Sequence, residues 1–152
     1  MNRLSFNLIF LVLAYSGFEN IRSAWINTCL VINEYTNDSC SKFYKYGCNC
    51  VLNRMGIPVD ELDHCCVRHS ECYGKQKCSV EVVTPVKCAN GSCSCTEHDI
   101  SSCSYTGCLC DIRLGRCLKK FLNTYNNDSV ELSSRWCREL THKVQKGLEE
   151  GH

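Results

Sequence analysis

Residues 46–73 read YGCNCVLNRMGIPVDELDHCCVRHSECY. Cys48, Cys50, Cys65, Cys66 and Cys72 gather here around His69. Gly47, Asn49, Asn53 and Gly56 make a loop that Pro58 closes. From Val59 to Tyr73 no helix breaker follows, and Asp60 and Asp63 fall where a helix N-terminus favours negative charge. The stretch predicts a loop followed by a helix. Residues three, four, seven and eight apart share a helix face, so Leu62, Cys65, Cys66, His69, Cys72 and Tyr73 form one inward stripe. His69 points where the cysteines point, either as a satisfied core residue or as a functional one.

A second stretch takes its measure from the first. Ser101 or Ser102 is suited to N-cap a long helix that ends near Phe121 or Leu122, with Cys103, Gly107, Cys110, Asp111, Leu114, Cys117, Leu118 and Phe121 facing inward. Arg113, Arg116, Lys119 and Lys120 fall mostly on the outer side and read as a solvated face. Cys110 and Cys117 are seven residues apart, as are Cys65 and Cys72, so two antiparallel helices can close Cys65–Cys117 and Cys72–Cys110 in a single register. Spacing alone does not prove connectivity, but the matching interval favours this pairing over its rivals. In that register His69 lies level with Arg113, and Asp111 comes within its reach, slightly toward the Tyr73 end. A buried carboxylate accepting an imidazole N–H fixes the tautomer and frees the other nitrogen as a general base. The same pair can instead serve only to hold two helices together. Ser70 is no nucleophile for His69, because neighbouring helix residues point about 100° apart.

The flanks bound the class of protein. After Met1-Asn2-Arg3, Leu4 to Leu13 is almost wholly apolar and Ala14-Tyr15-Ser16 supplies small residues, so residues 1–16 read as a secretory signal cleaved before Gly17 or Phe18. The apolar run falls short of the roughly 20 residues that a membrane span needs. Residues 17–152 then form one secreted, extracellular domain with a modest core. All 16 cysteines lie from Cys29 onward, and an even number on a secretory route argues for disulfides. Zinc is the poorer explanation, since Cys48-Asn49-Cys50, Cys93-Ser94-Cys95 and Cys108-Leu109-Cys110 are C-x-C rather than C-x-x-C. Without Arg3 the chain carries 16 basic and 16 acidic residues, a balance that offers no global field for nucleic acid or an anionic membrane. Asn37-Asp38-Ser39, Asn90-Gly91-Ser92 and Asn127-Asp128-Ser129 are sequons suited to glycans.

The remaining elements are short. Ile21, Trp25, Ile26, Cys29 and Ile32 recur at helical spacing from Asn20 to Tyr35, with Trp25 more suited to packing than to a lipid interface. Val80, Val82 and Val83, bounded by Cys78 and Pro85, suggest a strand, and Cys88 to Cys95 with Asn90-Gly91 suggests the return of a small hairpin. The end of the chain is loop from Asn123, then Trp136-Cys137, then a polar, helix-like tail from about Glu139.

Three motifs together resemble the secreted phospholipase A2 family. They are Tyr46-Gly47-Cys48-x-Cys50, then Gly56-x-Pro58-Val59-Asp60-Glu61-Leu62-Asp63-x-Cys65-Cys66-x-x-His69-x-x-Cys72-Tyr73, then Cys103-x4-Cys108-x-Cys110-Asp111-x5-Cys117. The resemblance extends thinly from about Asn20 to Cys137. It implies a mainly α, disulfide-rich fold with two long antiparallel disulfide-linked helices, an N-terminal helix and a small two-stranded wing. It also implies the pairs Cys50–Cys66, Cys48–Cys137, Cys78–Cys103, Cys95–Cys108 and Cys29–Cys88, leaving Cys40 and Cys93 as an extra pair. By the same resemblance His69 is the general base, Asp111 its orienting partner, and Tyr73 a hydroxyl donor to Asp111. The family's second supporting tyrosine, four residues before the position of Cys88, is Thr84, which leaves that support missing.

The calcium site departs from the family pattern. The family binds calcium through carbonyls of a glycine-rich loop and through an aspartate after the histidine. The matching positions are Asn49, Val51, Asn53 and Ser70, within a loop that reads Cys50-Val51-Leu52-Asn53-Arg54-Met55-Gly56. Calcium takes six to eight oxygens and gains from carboxylates. Ser70 is neutral, Val51 resists glycine's backbone angles, and Arg54 brings positive charge. Family members with serine at this position are non-catalytic. The residues thus support a phospholipase A2-like protein with a degenerate calcium site that binds a phospholipid membrane surface, a micelle or a protein partner. The alternatives are an active calcium-dependent hydrolase of the sn-2 ester, and a structural extracellular module.

Overall fold

The computed structural model describes residues 25–50, 56–78 and 83–150. The expected signal at 1–16, the loop positions Val51 and Asn53, and the expected strand residues Val80 and Val82 lie outside them. Helix α1 covers 25–36. It is followed by α2 (Glu61–Gln76), strands β1 (Val86–Ala89) and β2 (Ser92–Cys95), α3 (Cys103–Phe121) and α4 (Ser134–Glu150), with short 3-10 turns between. The architecture is the mainly helical, disulfide-rich one that the sequence predicts.

Helices α2 and α3 begin and end where local chemistry directs. The Asp60 carboxylate caps α2 by accepting from the Asp63 N–H at 2.9 Å, and Lys77 closes it in a left-handed conformation (φ 54°). Ser102 caps α3, accepting from the Tyr105 N–H at 3.1 Å. Cys65–Cys117 and Cys72–Cys110 join the two helices, each with Cα atoms 5.7 Å apart, which requires the antiparallel run and the register read from the seven-residue intervals. The bridges Cys48–Cys137, Cys50–Cys66, Cys78–Cys103 and Cys95–Cys108 are also present. All 16 cysteines are paired, the mark of an oxidising compartment.

Helix α3 is buried on two faces rather than one. Leu114 and Leu118 pack with Leu62 and Cys65 of α2 and with Ile32, Phe43 and Tyr46. Cys108 and Ile112, on the other side, pack with Val31, Tyr35 and Cys93. Gly115 allows α1 to come this close, since a Cβ there would lie 2.6 Å from the Tyr35 ring and 2.8 Å from a Val31 methyl. The central helix thus carries the site between α2 and the α1–wing layer.

Three expectations are corrected. Cys29 pairs with Cys40 and Cys88 with Cys93, instead of Cys29–Cys88 and Cys40–Cys93. The chain turns back after α1 at Asn37 (φ 55°), and the Asn33 side chain accepts from the Cys40 N–H at 2.7 Å, bringing the Cys40 Cα to 5.2 Å from that of Cys29. Cys88 and Cys93 lie directly opposite each other in the hairpin. Both pairs close short loops, the least costly in chain entropy. Among the described residues the hairpin pairs Val86–Ala89 with Ser92–Cys95, and Asn90 and Gly91, both at positive φ (54° and 75°), make the two-residue turn that joins strands of matching twist. Trp25 is 41% exposed and meets Tyr44 edge-on with centroids 5.5 Å apart. Lastly, the tail is helical from Ser134, held by Cys48–Cys137 and by the Ile57 N–H, which donates to the Thr141 hydroxyl at 3.2 Å.

Candidate active site

His69 sits in the third turn of α2 with its side chain 19% exposed, facing the fully covered Asp111 of α3. Nε2 lies 2.8 Å from Asp111 Oδ1. Tyr73, one turn further along α2, donates its hydroxyl to the same oxygen at 3.2 Å and meets the imidazole edge-on at 5.1 Å. Burial, reinforced by the charge of Asp111 and the hydrogen bond to it, pushes the Tyr73 phenol well above its ordinary pKa, so it stays a donor. The second oxygen, Oδ2, accepts from the Thr84 hydroxyl at 2.7 Å.

The contact from Thr84 corrects the expectation of a missing support. The threonine is buried, just before the wing, and supplies the oxygen-borne proton that the family places on a tyrosine. Gly107 makes the room, since a Cβ there would meet the Thr84 methyl at 2.8 Å and the Tyr73 hydroxyl at 3.2 Å. A signal was present in the sequence, because threonine is the smallest β-branched residue able to fill a buried site and still donate.

With Asp111 accepting the Nε2 proton, the tautomer leaves a lone pair on Nδ1, which has no hydrogen-bond partner among the described residues. An imidazole held in this way can take a proton from water. A groove of about 360 Å³ runs beside it, lined by Arg68, Lys75, Gln76 and Arg113 over the Cys65–Cys117 and Cys72–Cys110 bridges. A larger hollow of about 660 Å³ between α1 and the wing, walled by Leu30, Glu34 and Lys87, is remote in chain and in lining from His69 and Asp111.

The residues at the metal-ligand positions are arranged differently. Ser70 is exposed on α2. Asn49 turns its amide group to Asp63, donating from Nδ2 to Oδ2 at 3.1 Å, while its own Oδ1 faces the Gly56 N–H at 3.4 Å. Val51 and Asn53 lie outside the described residues. Asp63 is the residue whose importance the sequence reading missed. Fully buried, it accepts from the backbone N–H groups of Cys48 (2.8 Å), Asn49 (2.7 Å) and Val59 (3.1 Å), tying both roots of the loop to α2. No group of three or more His, Cys, Asp or Glu side chains suited to a metal occurs among the described residues.

Comparison with known proteins accords with this geometry. Residues 26–130 match the phospholipase A2 family model. A phospholipase A2 homolog of Echis carinatus sochureki is 33% identical over 111 residues, 72% of this chain and 89% of the relative. The basic phospholipase A2 homolog ecarpholin S of Echis carinatus shows the same identity and coverage. A phospholipase A2 of Bos taurus is 30% identical over 129 residues, covering 78% and 87% of the two chains. The chain belongs to the phospholipase A2 family.

Proposed function

We propose that this is a secreted phospholipase A2-like protein that binds phospholipid surfaces and whose calcium site is degenerate, with sn-2 hydrolysis weak or absent. The observation that carries the reading is the neutral, exposed Ser70 at the position of the family's metal-binding carboxylate, next to an intact His69–Asp111 pair. Asn49 adds no charge and its side chain is engaged with Asp63, so the described donors do not fit a hard dication that gains from anionic oxygens. The residues at 1–16 direct the chain outward, and the disulfides keep its frame there.

A second reading, an active hydrolase, is favoured by one specific feature, the full hydrogen-bonding of Asp111 behind His69. In that case His69 Nδ1 takes the proton of a water whose oxygen attacks the sn-2 carbonyl, while Asp111 holds the Nε2 proton. The relatives carry both names, phospholipase A2 and phospholipase A2 homolog, so similarity alone does not choose.

Calcium calorimetry, with and without micellar phospholipid, combined with release of the sn-2 fatty acid, decides between them. The proposal expects neither tight calcium binding nor calcium-dependent turnover. Tight binding, with turnover that falls about 10²- to 10⁴-fold in His69→Gln, overturns it. Ser70→Asp is expected to raise calcium affinity without restoring full hydrolysis.

A further inference from the structure

The family match ends at residue 130, and α4 lies beyond it. Trp136, Leu140, Val144 and Leu148 recur every fourth residue and form one stripe along this helix. Trp136 is 43%, Val144 39% and Leu148 67% exposed. Cys137 and Thr141, which fasten the first half of the helix, lie on the same side as the stripe, so that half faces the body, and Val144 and Leu148 carry the stripe past the attachment, where from His142 to Glu149 each side chain is exposed. Gly147 has no neighbour within 4 Å of a would-be Cβ, and a stretch of under three helical turns with a glycine and little tertiary packing is marginal in water.

The other face carries Arg135, Arg138, Lys143 and Lys146 against Glu139, which pairs with Arg135 at 2.8 Å, before Glu149 and Glu150 end the helix. At about 100° per residue, Lys143 flanks one edge of the apolar stripe and Arg138 lies beyond the other. Cations so placed lay their stems along apolar surface and put their charges outward. This is the pattern of a helix that lies in the plane of a lipid interface.

We propose that the second half of α4 is a surface anchor for anionic phospholipid, with Val144 and Leu148 set among the acyl chains and Arg138 and Lys143 at the headgroups. The inference rests on the lipid-binding reading above and assigns that binding to an element outside the family-matched region. A second copy is the weaker occupant. Four partly covered side chains over roughly 18 Å of helix fall well short of the roughly 800 Å² per partner of a stable complex. A bilayer needs no matching groove.

The test is cosedimentation of the full chain with vesicles of phosphatidylcholine alone and of phosphatidylcholine mixed with phosphatidylglycerol, with far-UV circular dichroism and light scattering. The wild type is expected to prefer the mixed vesicles and to gain helical signal on them. Val144→Glu/Leu148→Glu is expected to bind at least about tenfold more weakly at an unchanged thermal midpoint, and Arg138→Glu/Lys143→Glu to lose the preference for phosphatidylglycerol. Equal binding by wild type and Val144→Glu/Leu148→Glu overturns the anchor and leaves the lipid-binding reading standing. No binding of the wild type to either vesicle overturns both. A dimer that Leu148→Glu dissolves assigns the stripe to a second copy and overturns the anchor.

Discussion

Two aspartates, one on each long helix, are covered to the same depth, Asp63 at 0% and Asp111 at 1% exposure, but they are satisfied by different kinds of donor. Asp63 accepts from three backbone N–H groups and one asparagine amide, all belonging to the ends of the loop between Gly47 and Val59. Asp111 accepts from three side chains, Tyr73, Thr84 and His69, the last of which reaches solvent. Backbone donors are indifferent to the identity of the loop residues between them. The frame can therefore hold its shape while the ligands that would serve a metal are replaced. A carboxylate satisfied by side chains has no such independence, because each donor is one substitution from being lost.

If that contrast is right, removing Asp63 has the larger effect on stability. Asp63→Ala strands the N–H groups of Cys48, Asn49 and Val59 in a covered site, and a loss on the order of 3–5 kcal/mol is expected. Denaturant unfolding with the disulfides intact measures it. A loss under about 1 kcal/mol would show that Cys48–Cys137 and Cys50–Cys66 hold the loop roots unaided, and the contrast would break.

Thr84→Val comes next, since it keeps the shape and removes only the hydroxyl. With Asp111 Oδ2 left without its donor, about 1–3 kcal/mol should be lost, and Thr84→Ser should restore most of it. Equal stability of Val and Ser variants would mean that the threonine is there for packing against Gly107 and that the carboxylate is oriented by Tyr73 and His69 alone.

What the sequence made legible follows from regular geometry. The shared seven-residue interval of the cysteines set the register of α2 and α3, and the register placed Asp111 by His69 before any coordinates were needed. Ser102 and the Asn90-Gly91 turn were legible because capping and positive φ are local chemistry. The partners of Cys29, Cys40, Cys88 and Cys93 were not, because a resemblance carries over the long-range pairs of a family while this chain closes two short loops. Asp63 was legible as a charge at a helix start but not as an acceptor for the loop, since periodicity describes a helix and not what the preceding turn aims at it. Likewise the second buried face of α3 followed from α1 and the wing packing on Cys108 and Ile112, which single-helix periodicity does not contain.

The smallest effect expected is at Tyr46, at the root of the loop that Asp63 ties. Its hydroxyl donates to the Asp60 carboxylate at 2.5 Å and accepts from the Asn126 N–H at 3.1 Å, so the same aspartate that caps α2 also holds the segment ahead of the loop. Burial, with the hydrogen bond to Asp60, pushes this phenol from its ordinary 10.0 up to about 12. A folded-state pKa raised above the unfolded one contributes stability that is fully present below pH 10 and is lost as pH rises through about 12. Tyr46→Phe should therefore cost about 1 kcal/mol at neutral pH, and the gap between wild type and variant should narrow across that alkaline window. Paired denaturant titrations at neutral pH and through the window check both parts. No gap at neutral pH would place the stabilisation in the ring packing of Tyr46 on Tyr125, whose centroids lie 4.9 Å apart and which phenylalanine keeps, and would leave the Asp60 hydrogen bond with no measurable share in holding the loop root.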